Sequence, residues 1–302
     1  MKNLITVFIL FVCIFSFGQE SIDLLTISGR FGLPTDYEDG IEGKATETGG
    51  MINLRIPIVL DSANIWYSKL TYLNSSVNSI ITFADSIADP ISVHGIILQT
   101  GWVRKLTKNR SIQVLFVPRL MGDMKDINSK NLQFGAVGLY ENRFNSKLKM
   151  KFGAMYNQEI SGPFVVPLID LDWKLSEKWS ITGLVPIYSK IKYNFSKNTN
   201  GGIGHFALIT SYRLGENLYR NDYIERKSID IYTFIRHRIS GNFHLEGRAG
   251  YALGRSYDQY GENDFVDFRF SLFTWGDNRI QKNANFSDGA FFNLRLIYNL
   301  PI

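Results

Sequence analysis

The sequence predicts an all-β protein, an antiparallel transmembrane β-barrel of about fourteen strands with short periplasmic turns and longer external loops. Three observations carry that expectation. Apolar residues recur with a period of two, not 3.6, once the first 20 residues are passed. The alternating runs last about 10–13 residues, against about 5–6 for a soluble strand and about 9–11 for a tilted membrane-spanning one. The polar side of each run carries Arg and Lys among Gly and Tyr, which suits a wet lumen behind a lipid-facing apolar band.

Composition narrows the alternatives. Of 302 residues, 45% are hydrophobic and 14% aromatic, so the chain has too much apolar surface to stay disordered. A single Cys excludes a disulfide scaffold. Mean hydropathy is −0.07, and no apolar run beyond residue 18 is long enough for a spanning helix.

The N-terminus predicts the compartment. Lys2 is the only charge before an apolar stretch from Leu4 to Phe17, too short to span and suited to a secretory signal. Ser16 and Gly18 place small residues for cleavage after Gly18. Residues 1–18 are thus expected to be a cleaved signal peptide and 19–302 one outer-membrane barrel domain, beginning at Gln19. Val12 precedes Cys13, which argues against a lipoprotein cysteine, and cleavage leaves neither a thiol nucleophile nor a thiolate metal site. Losing Lys2 lowers the formal charge by one from +5, a mild excess that does not argue for nucleic acid.

The strands follow from the alternation. In Met51–Leu60, Ile52, Leu54, Ile56, Ile58 and Leu60 oppose Asn53 and Arg55. The runs 147–157, 228–240 and 290–300 repeat this pattern. Strands are expected near 22–32, 48–60, 63–73, 91–105, 111–122, 131–141, 147–157, 164–175, 179–185, 188–196, 202–213, 227–239, 243–256 and 287–300. Twelve is the alternative count, because 179–196 is weakly patterned. Even parity, with both termini periplasmic, places the strand-like 264–274 segment in an external loop. Trp66, Trp102, Trp173, Trp179 and Tyr298 fall near strand ends, as girdle aromatics do. In the 227–256 hairpin, a three-residue loop would set Ile239 opposite Phe243 and Arg238 opposite His244. A two-residue loop would mix the faces.

Short motifs add a resemblance. Asp172-Trp173-Lys174-Leu175-Ser176-Glu177-Lys178-Trp179, Leu184-Val185-Pro186, Ile191-Lys192-Tyr193 and Gly201-Gly202 occur in order, followed by Gly247-Arg248-Ala249-Gly250-Tyr251 and Ser287-Asp288-Gly289-Ala290-Phe291. Together they resemble an uncharacterised outer-membrane β-barrel family, a domain of unknown function, of Bacteroidota. The resemblance implies location and fold and carries no agreed activity.

Chemistry is sparse. His94, His205, His237 and His244 fall in no metal-binding spacing, and neither a catalytic residue nor a cofactor is expected. Lumen charge is the stronger signal. Arg30, Arg55, Arg236, Arg238, Arg248 and Arg295 share the inward register on strands that become neighbours when the barrel closes, which predicts one basic wall. Lys149 faces Asp172 and Lys151 faces Asp170 if the 158–163 connection closes in its simplest register. These charges either pair into a polar plug or line an anion-favouring path. The function expected is a narrow pore or solute channel, or a structural barrel, with a basic lumen wall. The alternatives are a barrel enzyme acting on lipid and a secreted soluble barrel binding an apolar ligand. Expected partners are outer-membrane lipid, the barrel-assembly machinery and, for an open lumen, a small anionic solute.

Overall fold

A computed structural model describes residues 21–38, 40–219 and 221–301. The expected signal peptide, and Gln19 after it, lie outside these residues. Fourteen strands form the wall: β1 (Ser21–Gly32), β3 (Lys44–Val59), β4 (Asn64–Ser79), β5 (Ile91–Thr107), β6 (Arg110–Gly122), β7 (Leu132–Arg143), β8 (Leu148–Glu159), β9 (Gly162–Lys174), β10 (Trp179–Val185), β11 (Tyr188–Asn194), β12 (Thr199–Arg213), β13 (Tyr223–Ser240), β14 (Phe243–Tyr260) and β17 (Gly289–Pro301). Short strands β2 (Thr35–Asp36), β15 (Phe268–Phe270) and β16 (Phe273–Trp275) belong to the loops. Successive wall strands pair antiparallel, and β17 closes the barrel on β1 from Ser21–Pro301 to Gly32–Phe291. Closure pairs the two ends of the sheet, β1 and β17, with each other.

The wall shows the expected alternation. Ile52, Ile56 and Ile58 on β3 are exposed outward, while Asn53 and Arg55 line the interior. Trp66 and Trp102 pair across β4 and β5, and Trp173 and Trp179 lie across the β9–β10 turn, so all four mark the end that carries the short turns. The 227–256 hairpin keeps faces matched, with Arg238 opposite His244, Arg236 opposite Glu246 and Tyr232 opposite Gly250. Ile239 is not opposite Phe243. A bulge between Arg238 and Ser240 absorbs it, and Ser240 pairs with Phe243 across a two-residue turn at Gly241, whose φ of +50° the turn requires. Gly250 is needed for space, since a Cβ there would lie 2.7 Å from the Tyr232 Cβ.

The opposite end departs from simple long loops. The connections 33–43, 80–90, 123–131, 214–222 and 261–288 are long, but 160–161 and 186–187 are two-residue turns. β10 and β11 span only seven residues each. Pro186, which has no N–H to extend a ladder, ends the pair. The segment expected as one loop strand over 264–274 is instead the β15–β16 hairpin.

Packed side chains narrow the loop end. Inward residues Val77, Ile91, Val93 and Met121 meet Tyr212, Leu214, Ile224 and Tyr257 in one buried cluster. β12 leans across the lumen to reach it. Ser211 of β12 touches the inner face of β7 and β8, with Gln133 Nε2 donating to its carbonyl at 2.8 Å and its N–H donating to Glu159 at 3.0 Å. Leu115, Val117, Val137, Val166 and Leu168 form a second inner cluster, so β6–β9 are apolar on both faces here.

Candidate functional site

Below the packed layer the inner face turns polar around a cavity of about 1090 Å³. It reaches Ser21, Lys174 and Asn200 at the turn end and Arg30 and Arg226 under the layer. Its lining carries thirteen Lys and Arg against five Asp and Glu, and Glu47, Glu159, Glu225 and Asp258 directly behind it pair with Arg30, Arg226, Arg119 and Lys227, which leaves a smaller positive excess.

Three carboxylates organise the cations. Glu246 on β14 is fully buried and accepts from Lys190 at 2.8 Å and from Arg248 and Arg295 at 2.7 Å each. Glu47 on β3, also fully buried, accepts from Arg30 at 3.0 Å, Arg226 at 2.9 Å and Tyr257 Oη at 2.7 Å, with Arg255 at 3.4 Å. Asp23 holds Arg236 at 2.9 Å. Aromatic faces carry part of the same charge: Arg248 stacks on Tyr232 at 4.3 Å and Arg30 on Phe291 at 3.9 Å. Each acid is outnumbered or matched by cations, so the clusters are neutral to positive.

Arg55 and Lys69 differ. They sit directly opposite each other on β3 and β4, both line the cavity, and neither has an acidic partner within 4.0 Å among the described residues. Arg55 Nε is buried without a hydrogen-bond partner.

Of the six arginines expected to form the wall, Arg30, Arg55, Arg236, Arg248 and Arg295 line the cavity. Arg238 is exposed and lies outside the lining. Four of the five lining arginines are ion-paired, so the wall is a mixed network with an excess of cations. Lys149 lies 3.4 Å from Asp172 and Lys151 lies 3.6 Å from Asp170, in the directly opposed register. The sequence reading missed Glu47 and Asp230 as partners of Arg30. Both acids sit at inward positions of the alternation; Glu47 is a diagonal neighbour of Arg30 on the paired strand β3, whereas Asp230 on β13 is distant in the chain.

The histidines are bridging groups. His205 Nδ1 lies 2.8 Å from Ser189 Oγ and its Nε2 lies 3.0 Å from the Pro186 carbonyl, which ties β12 to the end of β11. No carboxylate completes that pair among the described residues. His237 meets Thr199 Oγ1 at 2.8 Å, and His244 meets the Asn242 carbonyl at 3.1 Å. Among the described residues no three His, Cys, Asp or Glu side chains are placed to hold a metal ion. In the 261–288 loop, the hydrogen bond from Arg279 holds the Asp277 carboxyl below the usual carboxylate range.

The model of the domain of unknown function DUF6268 matches residues 41–299. The chain belongs to the DUF6268 family. The matched span takes in the wall from β3 to β17 and leaves β1, with Asp23 and Arg30, outside it. Among solved structures, the chain is similar to the COG4313 outer membrane channel from Pseudomonas putida F1, at 11% identity over 95% of this chain and 97% of that one, with a TM-score of 0.46. It is also similar to the TodX monoaromatic hydrocarbon channel (11% identity, 92% and 89% coverage, TM-score 0.38). A third is the KdgM porin in complex with oligogalacturonate (11% identity, 90% and 98% coverage, TM-score 0.33). At these values the likeness is one of general architecture. No curated protein matches the chain.

Proposed function

We propose that this DUF6268 barrel is an outer-membrane protein that admits small anionic solutes into a basic lumen, a narrow channel whose external end is constricted by its own loops. Residues 1–18 act as the export signal, and the partners are outer-membrane lipid, the assembly machinery and the solute. The observation that carries the reading is the excess of cations around a cavity of about 1090 Å³, thirteen in its lining against five lining acids and the four, Glu47, Glu159, Glu225 and Asp258, that pair with lining cations from behind. Fixed positive charge in a confined wet path concentrates anions and repels cations. Arg55 and Lys69, with Lys174 and Lys192, carry the part of that field that no ion pair within 4.0 Å neutralises among the described residues.

Planar-bilayer recording tests this. The wild-type barrel should conduct and show an anion-selective reversal potential in a salt gradient. Arg55→Gln with Lys69→Gln should move that potential toward cations, while the paired Lys149 and Lys151 are left intact. An unmoved potential refutes the assignment of selectivity to this pair. The packed layer at the loop end favours a second reading, a structural barrel, and a complete absence of conductance would select it.

A further inference from the structure

The barrel wall has a seam above the β10–β11 turn. β10 last pairs with β9 at Val185–Ile169, and β11 last pairs with β12 at Tyr188–Phe206. Beyond those points no wall strand separates Gly162–Leu168 of β9 from Ala207–Arg213 of β12. The β15–β16 hairpin fills the gap. A parallel contact of two residues, Arg269–Phe164 and Phe270–Val165, stitches it to β9. Pro163 and Pro167, which cannot donate to a ladder, bracket that contact. Toward β13 the hairpin has no ladder among the described residues. Arg269 and Arg279 reach Glu225 there at 3.0–3.2 Å.

The basic cavity extends to this seam, where its lining becomes apolar: Ile187, Leu208, Ile229, Leu253 and Leu272. Ile229 and Leu253 belong to the outward register and are 37% and 39% exposed. Leu272, at the hairpin turn, is 71% exposed, and Phe268, Phe270, Phe273 and Trp275 beside it also face outward. A single cavity therefore touches cationic side chains within and lipid-facing side chains without. The packed layer narrows the loop end, and among the described residues the seam gives the cavity a second route to the outer surface.

We infer that the seam is a lateral portal for a single-chain amphiphile with an anionic headgroup, phosphate or carboxylate. The headgroup sits among the lumen cations near Lys190, and the chain leaves between the hairpin and β13 into the lipid. This rests on the reading of the cavity as an anion pathway. Charge complementarity selects the headgroup, and the apolar lining at the seam selects the chain.

The test is photo-crosslinking in phosphatidylcholine vesicles with alkyne-tagged dodecyl phosphate as the probe. A benzophenone amino acid replaces Leu272 at the portal or, as a control, Ile203, which is 55% exposed on the lipid face of β12. Capture should be strong at position 272 and weak at 203. Unlabelled dodecyl phosphate should compete, and dodecyl maltoside, with the same chain and a neutral head, should not. Lys190→Gln should weaken apparent affinity about tenfold, the loss expected for one charged hydrogen bond. Equal capture at both positions overturns the portal, as does equal competition by the maltoside. Inorganic phosphate competing as well as dodecyl phosphate also overturns it, since the chain would then play no part. Chloride conductance of the same preparation separates the two readings. Conductance without selective capture leaves the channel and removes the portal, whereas no conductance removes the channel reading and the portal with it.

Discussion

Glu246→Gln takes one negative charge from a site where three cations converge. The carboxylate is fully buried, with Lys190, Arg248 and Arg295 at 2.7–2.8 Å. Each charge-assisted hydrogen bond contributes about 1.5–3 kcal/mol, and the amide keeps one weaker acceptor. The cations are 14–22% exposed to the lumen, so they partly rehydrate once released. That places the loss near the lower end of the ~3–5 kcal/mol range for breaking a buried pair, about 3 kcal/mol. Urea unfolding of the barrel in lipid vesicles, followed by tryptophan fluorescence, reads it directly. Lys190→Met relieves one of the repelling charges, so the double variant should lose less than the two singles summed, by about 1–2 kcal/mol. Additive losses, or a single-variant loss below about 1 kcal/mol, would refute a lumen organised around this carboxylate.

Leu294→Arg, on the 54% exposed outer face of β17, should cost assembly about 2–4 kcal/mol in folding titrations. Asn293→Ser should be silent there; an added charge is unsuitable as the control because Asn293 lies between Arg30 and Arg248. Mass analysis of protein from the membrane fraction should give a chain beginning at Gln19, and an intact Met1 would defeat the signal-peptide proposal. Asp277, whose folded pKa is depressed by Arg279, contributes stability above its unfolded pKa that is lost as pH falls through the folded value. Hydrogen-exchange protection in 264–279, with the intrinsic rate divided out, should therefore fall below the ordinary carboxylate range and stay high at neutral pH.

The wall was legible because its cause is local. A side chain's face follows from its parity, so Ile52 against Asn53, or Leu294 against Arg295, declares lipid and lumen within two residues. Lys149 and Asp172 were readable for the same reason, being partners across one short turn. Glu47 was not. Arg30 is its neighbour on β1, but Arg226 and Arg255 lie on β13 and β14, and their meeting with it depends on how the closed barrel staggers its strands. The packed layer was hidden for another reason. Leu115 and Val117 face inward while Val114 and Phe116 face out, and a run apolar on both faces does not say which side is lipid. The seam left a weak trace, the poor patterning of 179–196, which reflects strands of only seven residues that end at Pro186.

Closure of the loop end depends on β12 leaving the cylinder, and one side chain on β8 holds it there. Glu159 is fully buried and accepts from Arg119 at 2.6 Å and from the N–H and hydroxyl of Ser211 at 3.0 Å each. β8 and β12 are not neighbours in the sheet, so these bonds cross the lumen. Glu159→Ala deprives the Ser211 N–H of its acceptor and leaves Arg119 uncompensated beside an apolar cluster. A loss of about 3 kcal/mol in local opening free energy corresponds to roughly 100-fold faster exchange. It should be confined to 207–213, while β1 and β17 stay protected by their own ladder. Glu159→Gln preserves an acceptor for Ser211 and should fall between wild type and alanine. Conductance should rise in the same order, because the segment that opens is the one that blocks the lumen. Faster exchange without added conductance would place the block in the loops above. Unchanged exchange in 207–213 would mean that the apolar contacts of Tyr212 and Leu214 hold β12 without Glu159.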